Sequence, residues 1–374
     1  MGIDELKGQL RVIREPRRES GNYRHKLEDI LIIGLCTVIC MGEDYVDMED
    51  FGKEREEWLR GFLELPNGIP DSDTFRRVFE RVDSTEVSKA LSSWLGGDGS
   101  AGGRTVNIDG KTIRGSGGVA KKALHVVSAW VHENEITLGE VATAQKSNEI
   151  TAIPELLDLI DIRGDIVTID AMGCQRDIAR KIREKEADYL LALKENQSNL
   201  YEDVQTYFQW LEKEKPASET YQHWSGRLEK GHGRLEKRDV TIATSIDWLE
   251  NSEHWLDLHT LVQYRCTRES CGIKTVTDRY YISSFDTDAE GFAYLLRNHW
   301  SIENRLHWKL DVLFREDGAR ARKDHSPLNM NVLRKIAMAM LAVADHNKRI
   351  GTRKKMLRAA LNPVFLSRVL FSSV

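Results

Sequence analysis

Apolar positions along this chain switch between a helical and a strand-like period. Up to about residue 100 the spacing is helical, with apolar residues every three or four positions over 26–41, 47–63 and 72–82. Between the second and third of these, Pro66, Asn67, Gly68 and Pro70 break the helix, and Ser72 or Asp73 can cap the next one. From Arg104 short apolar runs take over. Runs at 105–108, 125–131 and 136–142, joined by turn-rich GSGG and HENE, predict three strands of an antiparallel meander. A helix with Pro154 in its first turn, a strand at 166–169, a helix at 175–185 and a strand at 189–193 follow. Further strand-like runs lie at 235–243, 259–267 and 274–283.

The stretch 287–317 then draws one apolar stripe through Phe292, Leu296, His299, Ile302, Leu306, Leu310 and Leu313, with Asp288 and Glu290 in its first turn. This predicts a single long helix with Glu303 beside the stripe. Helical spacing returns at 328–346 and 354–360. The pattern divides the chain into a helical N-terminal domain (1–103) ending in the glycine-rich GGDGSAGG, a mixed α/β domain (104–195 and 284–318), an inserted β-rich subdomain (196–283) and a basic helical tail (319–374).

Three antiparallel strands followed by crossover helices and parallel strands is the order of a ribonuclease H-like sheet, in which the first and fourth strands are neighbours. Two apolar runs end in an aspartate, TVNID at Asp109 and DIVTID at Asp170. On neighbouring strands their carboxylates would repel, an arrangement that favours a divalent cation. With Glu303 they make three hard oxygen donors, suited to Mg²⁺ or Mn²⁺ rather than zinc. Phosphodiester cleavage by two such ions needs no more protein ligands than that. Asp109 would bridge the two ions, and Asp170 and Glu303 would each hold one.

Composition narrows the choice. The 374 residues are 41% hydrophobic, enough for ordinary cores, and no apolar run reaches the roughly 18–20 residues of a membrane span. The start, MGIDELKGQL, has no signal-peptide core, so the expected location is the cytoplasm. Five cysteines without a CxxC pair argue against a disulfide framework or zinc ribbon. The net charge of −5 hides an asymmetry, because residues 319–374 carry twelve Lys and Arg against two Asp, a local +10. Such a tail suits contact with a phosphate backbone. Arg76, Arg77 and Arg81 on the third helix resemble the second half of a helix-turn-helix, and His232 and Arg234 in EKGHGRLEKR can donate to phosphate. No GxxxxGK[ST] run supports a nucleotide hydrolase.

The segments VNIDGKTIRGS, DIVTIDAMGCQRDIA, DYLLALKENQ, KGHGRLEKR, RYYISS and RNHWSIENRLHWKLDVLFREDGAR, in this order, resemble the H-repeat-associated DDE transposases of bacterial insertion sequences. HKLEDILIIGLCTVICMGEDYVDMEDFG and GIPDSDTFRRVF extend the resemblance over nearly the whole chain. It implies a ribonuclease H-like domain and a Mg²⁺-dependent triad of Asp109, Asp170 and Glu303. It also implies cleavage and strand transfer at inverted terminal repeats into target DNA, by a homodimer on the two ends. Related transposases place Tyr, Arg and Lys seven before, four before and seven after the glutamate; here those positions hold Leu296, His299 and Leu310. Tyr294, Arg297 and Lys309 lie one or two residues away, so DNA-end contact is carried to Arg297 and Lys309, alongside Lys194, His232 and Arg234. A DNA-binding relic without transposition and a nuclease that cuts without joining are the rival readings.

Overall fold

The computed structural model describes residues 3–17, 23–95, 102–118, 122–143, 149–214, 221–231, 233–344 and 350–371. Along the chain run α1 (Ile3–Arg11), α2 (Leu27–Ile39), α3 (Tyr45–Glu54), α4 (Glu56–Arg60), α5 (Ser72–Arg81), α6 (Ser84–Trp94), β1 (Thr105–Ile113), β2 (Leu124–Val131) and β3 (Thr137–Thr143). Next come α7 (Glu149–Leu159), β4 (Ile166–Ile169), α8 (Arg176–Glu184), β5 (Asp188–Leu193), α9 (Ser198–Glu214), β6 (Gln222–Ser225), β7 (Glu229–Gly231), β8 (Arg234–Ala243), β9 (Thr260–Ser270) and β10 (Ile273–Ser283). The chain closes with α10 (Ala289–His299), a π-helical turn at Glu303–His307, α11 (Trp308–Val312), α12 (Ser326–Val343), α13 (Thr352–Leu361) and α14 (Pro363–Phe371). The strand order β3-β2-β1-β4-β5 makes the fold mixed α/β and ribonuclease H-like. Among the described residues no helix is long and apolar enough to cross a membrane.

Two compact units divide the chain, the first comprising residues 1–100, 110–148 and 303–374, the second 101–109 and 149–302. Strand β1 passes from the second to the first between Asp109 and Gly110. The first unit is built on α2 and α12. Helix α2 is buried along almost its whole length because LEDILIIGLCTVI has no polar face. Gly34 lets the neighbours come close: a Cβ there would stand 3.0 Å from Phe79 and 3.3 Å from Leu333. Helix α12 packs on α2, α5 and α6, and Asn329 on it donates to the carbonyls of Phe79 and Val82 at the end of α5.

The basic tail is therefore partly core. Arg334, Lys335 and Lys355 are buried, Lys335 paired with Glu140 and Lys355 donating to the carbonyls of Leu341 and Ala342 at the end of α12. A cation at that end also matches the helix dipole. Lys354 and Arg358 point outward.

In the second unit the strands follow the order β1-β4-β5-β10-β9-β8-β6, with β7 on β8. Strands β1, β4 and β5 are parallel, and β10 is antiparallel to β5, so the inserted strands continue the sheet. A buried cluster of Val240, Ile242, Val262, Tyr264, Tyr281, Phe292, Leu295 and Leu296 holds α10 against them. Beyond the Tyr280–Leu193 pair, β10 and β9 run on together for seven more residues of β10, roughly 24 Å at strand rise. This arm overhangs the end of the sheet where β5 finishes.

Three expected elements come out differently. The single helix over 47–63 is broken at Arg55, whose backbone leaves the helical region at φ −118° and ψ 14°. A 17-residue helix, α9, occupies part of the segment expected to be β-rich, burying Val204, Phe208 and Leu211 on one face. The long helix over 287–317 is interrupted after His299. Its buried positions Ile302, Leu306, Leu310 and Phe314 are four apart, and a straight α-helix would rotate that row by about 40° at each step. The wider π turn at Glu303–His307 absorbs the drift.

Lys355→Ala is expected to cost roughly 1–3 kcal/mol by orphaning two carbonyls, and Lys354→Ala less than about 0.5 kcal/mol. Thermal melts of the two variants beside wild type measure the difference.

Candidate active site

Asp109 and Asp170 arise from the same local design. Strands β1 and β4 pair in parallel as far as Ile108 opposite Ile169, and the next residue on each chain is an aspartate: Asp170 follows the end of β4, while Asp109 lies within β1, which runs on to Ile113. Neighbouring strands lie about 4.8 Å apart. The structure thus brings Asp109 and Asp170 side by side, both partly exposed. Among the described residues no three His, Cys, Asp or Glu side chains form a ready-made cation cage. The pair still fits a divalent ion, because Mg²⁺ takes one or two carboxylates and completes its octahedron with water and phosphate oxygens.

Asp170 is held by the turn that follows it. Its carboxylate accepts from the backbone N–H of Met172 at 3.0 Å, capping a short 3₁₀ turn over Ala171–Gly173. Gly173 is required there, since a Cβ would lie 2.3 Å from the Ile169 side chain. From the segment after β5, Asn196 donates to the Ala171 carbonyl at 2.7 Å and Gln197 to the Cys174 carbonyl at 2.9 Å. The KENQ motif therefore braces the Asp170 turn, a role the sequence reading did not assign. Burial pushes the Cys174 thiol far up and keeps it inert.

Behind the aspartates lies a buried polar network. Thr168 Oγ1 donates to Asn107 Oδ1 at 2.6 Å, Asn107 Nδ2 donates to the Asn298 carbonyl at 3.2 Å, and Thr168 Oγ1 is 2.9 Å from His299 Nδ1. A hydroxyl has one proton, and Asn107 receives it, so His299 donates from Nδ1–H to Thr168. The ring is neutral. Burial drives its pKa down to about 4, with the Asp170 charge opposing and Arg279 reinforcing the shift.

Glu303 lies in the first unit, exposed, as the opening residue of the π turn. In that unit Lys111, two residues past Asp109, reaches Asp311 at 2.6 Å and buried Glu316 at 2.9 Å. Burial alone would push the Glu316 carboxyl up, but Lys111 and Arg334 beside it hold it below the usual range.

The expected DNA contacts are dispersed. Lys194 is exposed at the end of β5, on the strand-end edge that carries Asp170. Arg234 opens β8 and is 2.7 Å from Glu236; Arg297 is 2.6 Å from Glu229. Lys309 is mostly buried and 2.6 Å from Glu135, while His232 falls outside the described residues. Three of these cations thus already have carboxylate partners, and a phosphate would have to compete for them.

A model of the transposase DDE domain matches residues 82–340, and one described as DDE_Tnp_1-associated matches residues 8–95. Over its whole length the chain is 39% identical to "Putative transposase YncI" of Escherichia coli O157:H7, covering 96% of that protein. It is 37% identical to "H repeat-associated putative transposase YhhI" of Escherichia coli K12, again over the whole chain and 99% of the relative. The cryo-EM structure of the piggyBac transposase synaptic complex with hairpin DNA aligns with a TM-score of 0.45 and 13% identity, over 98% of this chain and 78% of that one. That likeness is too distant to carry residues over.

The His299 shift fixes a pH dependence. Its folded pKa lies below the unfolded value of 6.5, so its contribution is complete above pH 6.5 and is lost as pH falls toward 4. The loss is on the order of 3 kcal/mol. Urea melts of wild type from pH 7 to pH 4 should show that decline, and His299→Asn should flatten it.

Proposed function

Since the chain belongs to the H-repeat-associated DDE transposases, a family whose catalytic domain cleaves DNA, we propose that it cuts DNA at the inverted terminal repeats of an insertion sequence and joins the ends to target DNA. The observation that supports this reading is the parallel β1–β4 pairing inside the matched domain, with Asp109 and Asp170 the next residues after its last pair, Ile108 and Ile169.

In this reading Asp109, Asp170 and Glu303 hold divalent metal, Mg²⁺ with Mn²⁺ as substitute, two ions to a site. The metal would supply an activated water or 3′-hydroxyl and neutralise the charge at the pentavalent phosphorus. The chain's own residues do the positioning. Asp109 and Asp170 offer hard oxygens from one sheet edge, and the Met172 N–H turns the Asp170 carboxylate to a fixed direction. Exposed Lys194 on that edge would hold a phosphate of the bound end. Arg234, which opens β8 opposite Ser270 at the far end of the overhanging arm, would contact the duplex farther out, with Arg297, Lys309 and His232 as further candidate contacts. Cutting and joining two ends together calls for a homodimer on DNA, acting in the bacterial cytoplasm.

Asp109→Asn, Asp170→Asn and Glu303→Gln should each lower metal-dependent cleavage by roughly a thousandfold or more while end binding changes little. Gel assays on a labelled duplex carrying the element's own terminal repeat, with Mg²⁺, Mn²⁺ or EDTA, test this. A variant cutting at the wild-type rate would remove that residue from the triad.

A further inference from the structure

Side chains two apart on a strand share a face. Asn107 therefore faces the same side as Asp109, and Thr168 the same side as Asp170. The end of α10 is hydrogen-bonded to that very face, through the Asn298 carbonyl and the His299 ring. All four residues are buried, Asn107 and Thr168 at 0% and 1% exposure. We infer that Asn107, Thr168 and His299 are positioning residues for the reaction: they pin the end of α10 to the two strands that present Asp109 and Asp170, and so hold the backing of the aspartate pair. The inference rests on the function proposed above.

An apolar contact could fill this space as well as a polar one, but it would not set direction. The hydrogen bonds do, because each donor has one acceptor. The Thr168 proton goes to Asn107 Oδ1, which leaves Asn107 Nδ2 for the Asn298 carbonyl and the Thr168 lone pair for His299 Nδ1–H. A rotation or one-residue slip of α10 would orphan several buried polar groups at once. Asn107 is two residues from Asp109 and Thr168 two from Asp170 on the same strand faces, so an error here reaches the aspartates directly. A misplacement of about 1 Å can cost on the order of a hundredfold in rate.

Thr168→Val removes the hydroxyl at constant shape, and Thr168→Ser restores it; His299→Leu and His299→Asn make the matching pair. Single-turnover cleavage of the terminal-repeat duplex is measured at saturating protein and well below each variant's melting temperature, together with end affinity. Thr168→Val and His299→Leu should cut roughly ten- to a hundredfold more slowly with end affinity unchanged, and Thr168→Ser should recover most of the rate. A purely structural role would lower melting temperature but leave the rate of the folded protein unchanged, and that result overturns the inference. Hydrogen–deuterium exchange over residues 298–303 is read in parallel and should quicken in Thr168→Val. If wild type does not cut, the proposed function fails, and exchange alone decides the anchoring: unchanged exchange in Thr168→Val overturns it.

Discussion

Two aspartates are brought to neighbouring strand positions by backbone hydrogen bonding. In the parallel register of β1 on β4, Val106, Ile108, Val167 and Ile169 fill the apolar side and Asn107 and Thr168 the polar side of a segment buried on both faces, and a slip by one residue would exchange the two sets. With the register fixed, Asp109 and Asp170 are the residues that follow the last β1–β4 pair, one on each strand. In the proposed function a divalent cation held by both carboxylates would offset their mutual repulsion.

The surroundings of the pair read as ways of keeping that geometry. Gly173 and the Met172 N–H shape the Asp170 turn, and Asn196 and Gln197 brace it from the segment after β5. Thr168 and Asn107 hold the end of α10. Lys111 ties the far end of β1 to Asp311 and Glu316 within the first unit. Asn107, Lys111, Thr168, Asn196 and Gln197 are hydrogen-bonding side chains where hydrophobic ones would pack, and each specifies an orientation that packing alone would not.

The sequence made the parts with local signals legible. Asp109 and Asp170 stood out because an apolar run ended at each, and the α10 stripe announced itself by period. What was missed depends on distant partners. Thr168 meets a histidine 131 residues away, and Lys355, which reads as one more tail cation, caps α12 from inside the core. The π turn was written in the pattern but misread: taking Leu313 for the stripe kept a straight helix, whereas the buried residue is Phe314, four beyond Leu310. Helix α9 was hidden by its tyrosines and tryptophans, which favour strands by propensity although Val204, Phe208 and Leu211 fall on one helical face.

The most direct test is strand transfer by the wild-type chain. A pre-cut duplex ending in the element's terminal repeat, with a free 3′-hydroxyl, is mixed with protein, supercoiled plasmid and Mg²⁺. The account predicts joined product that disappears with EDTA and returns when Mn²⁺ replaces Mg²⁺. Tight binding of the end with neither joined nor nicked DNA in either metal would contradict it.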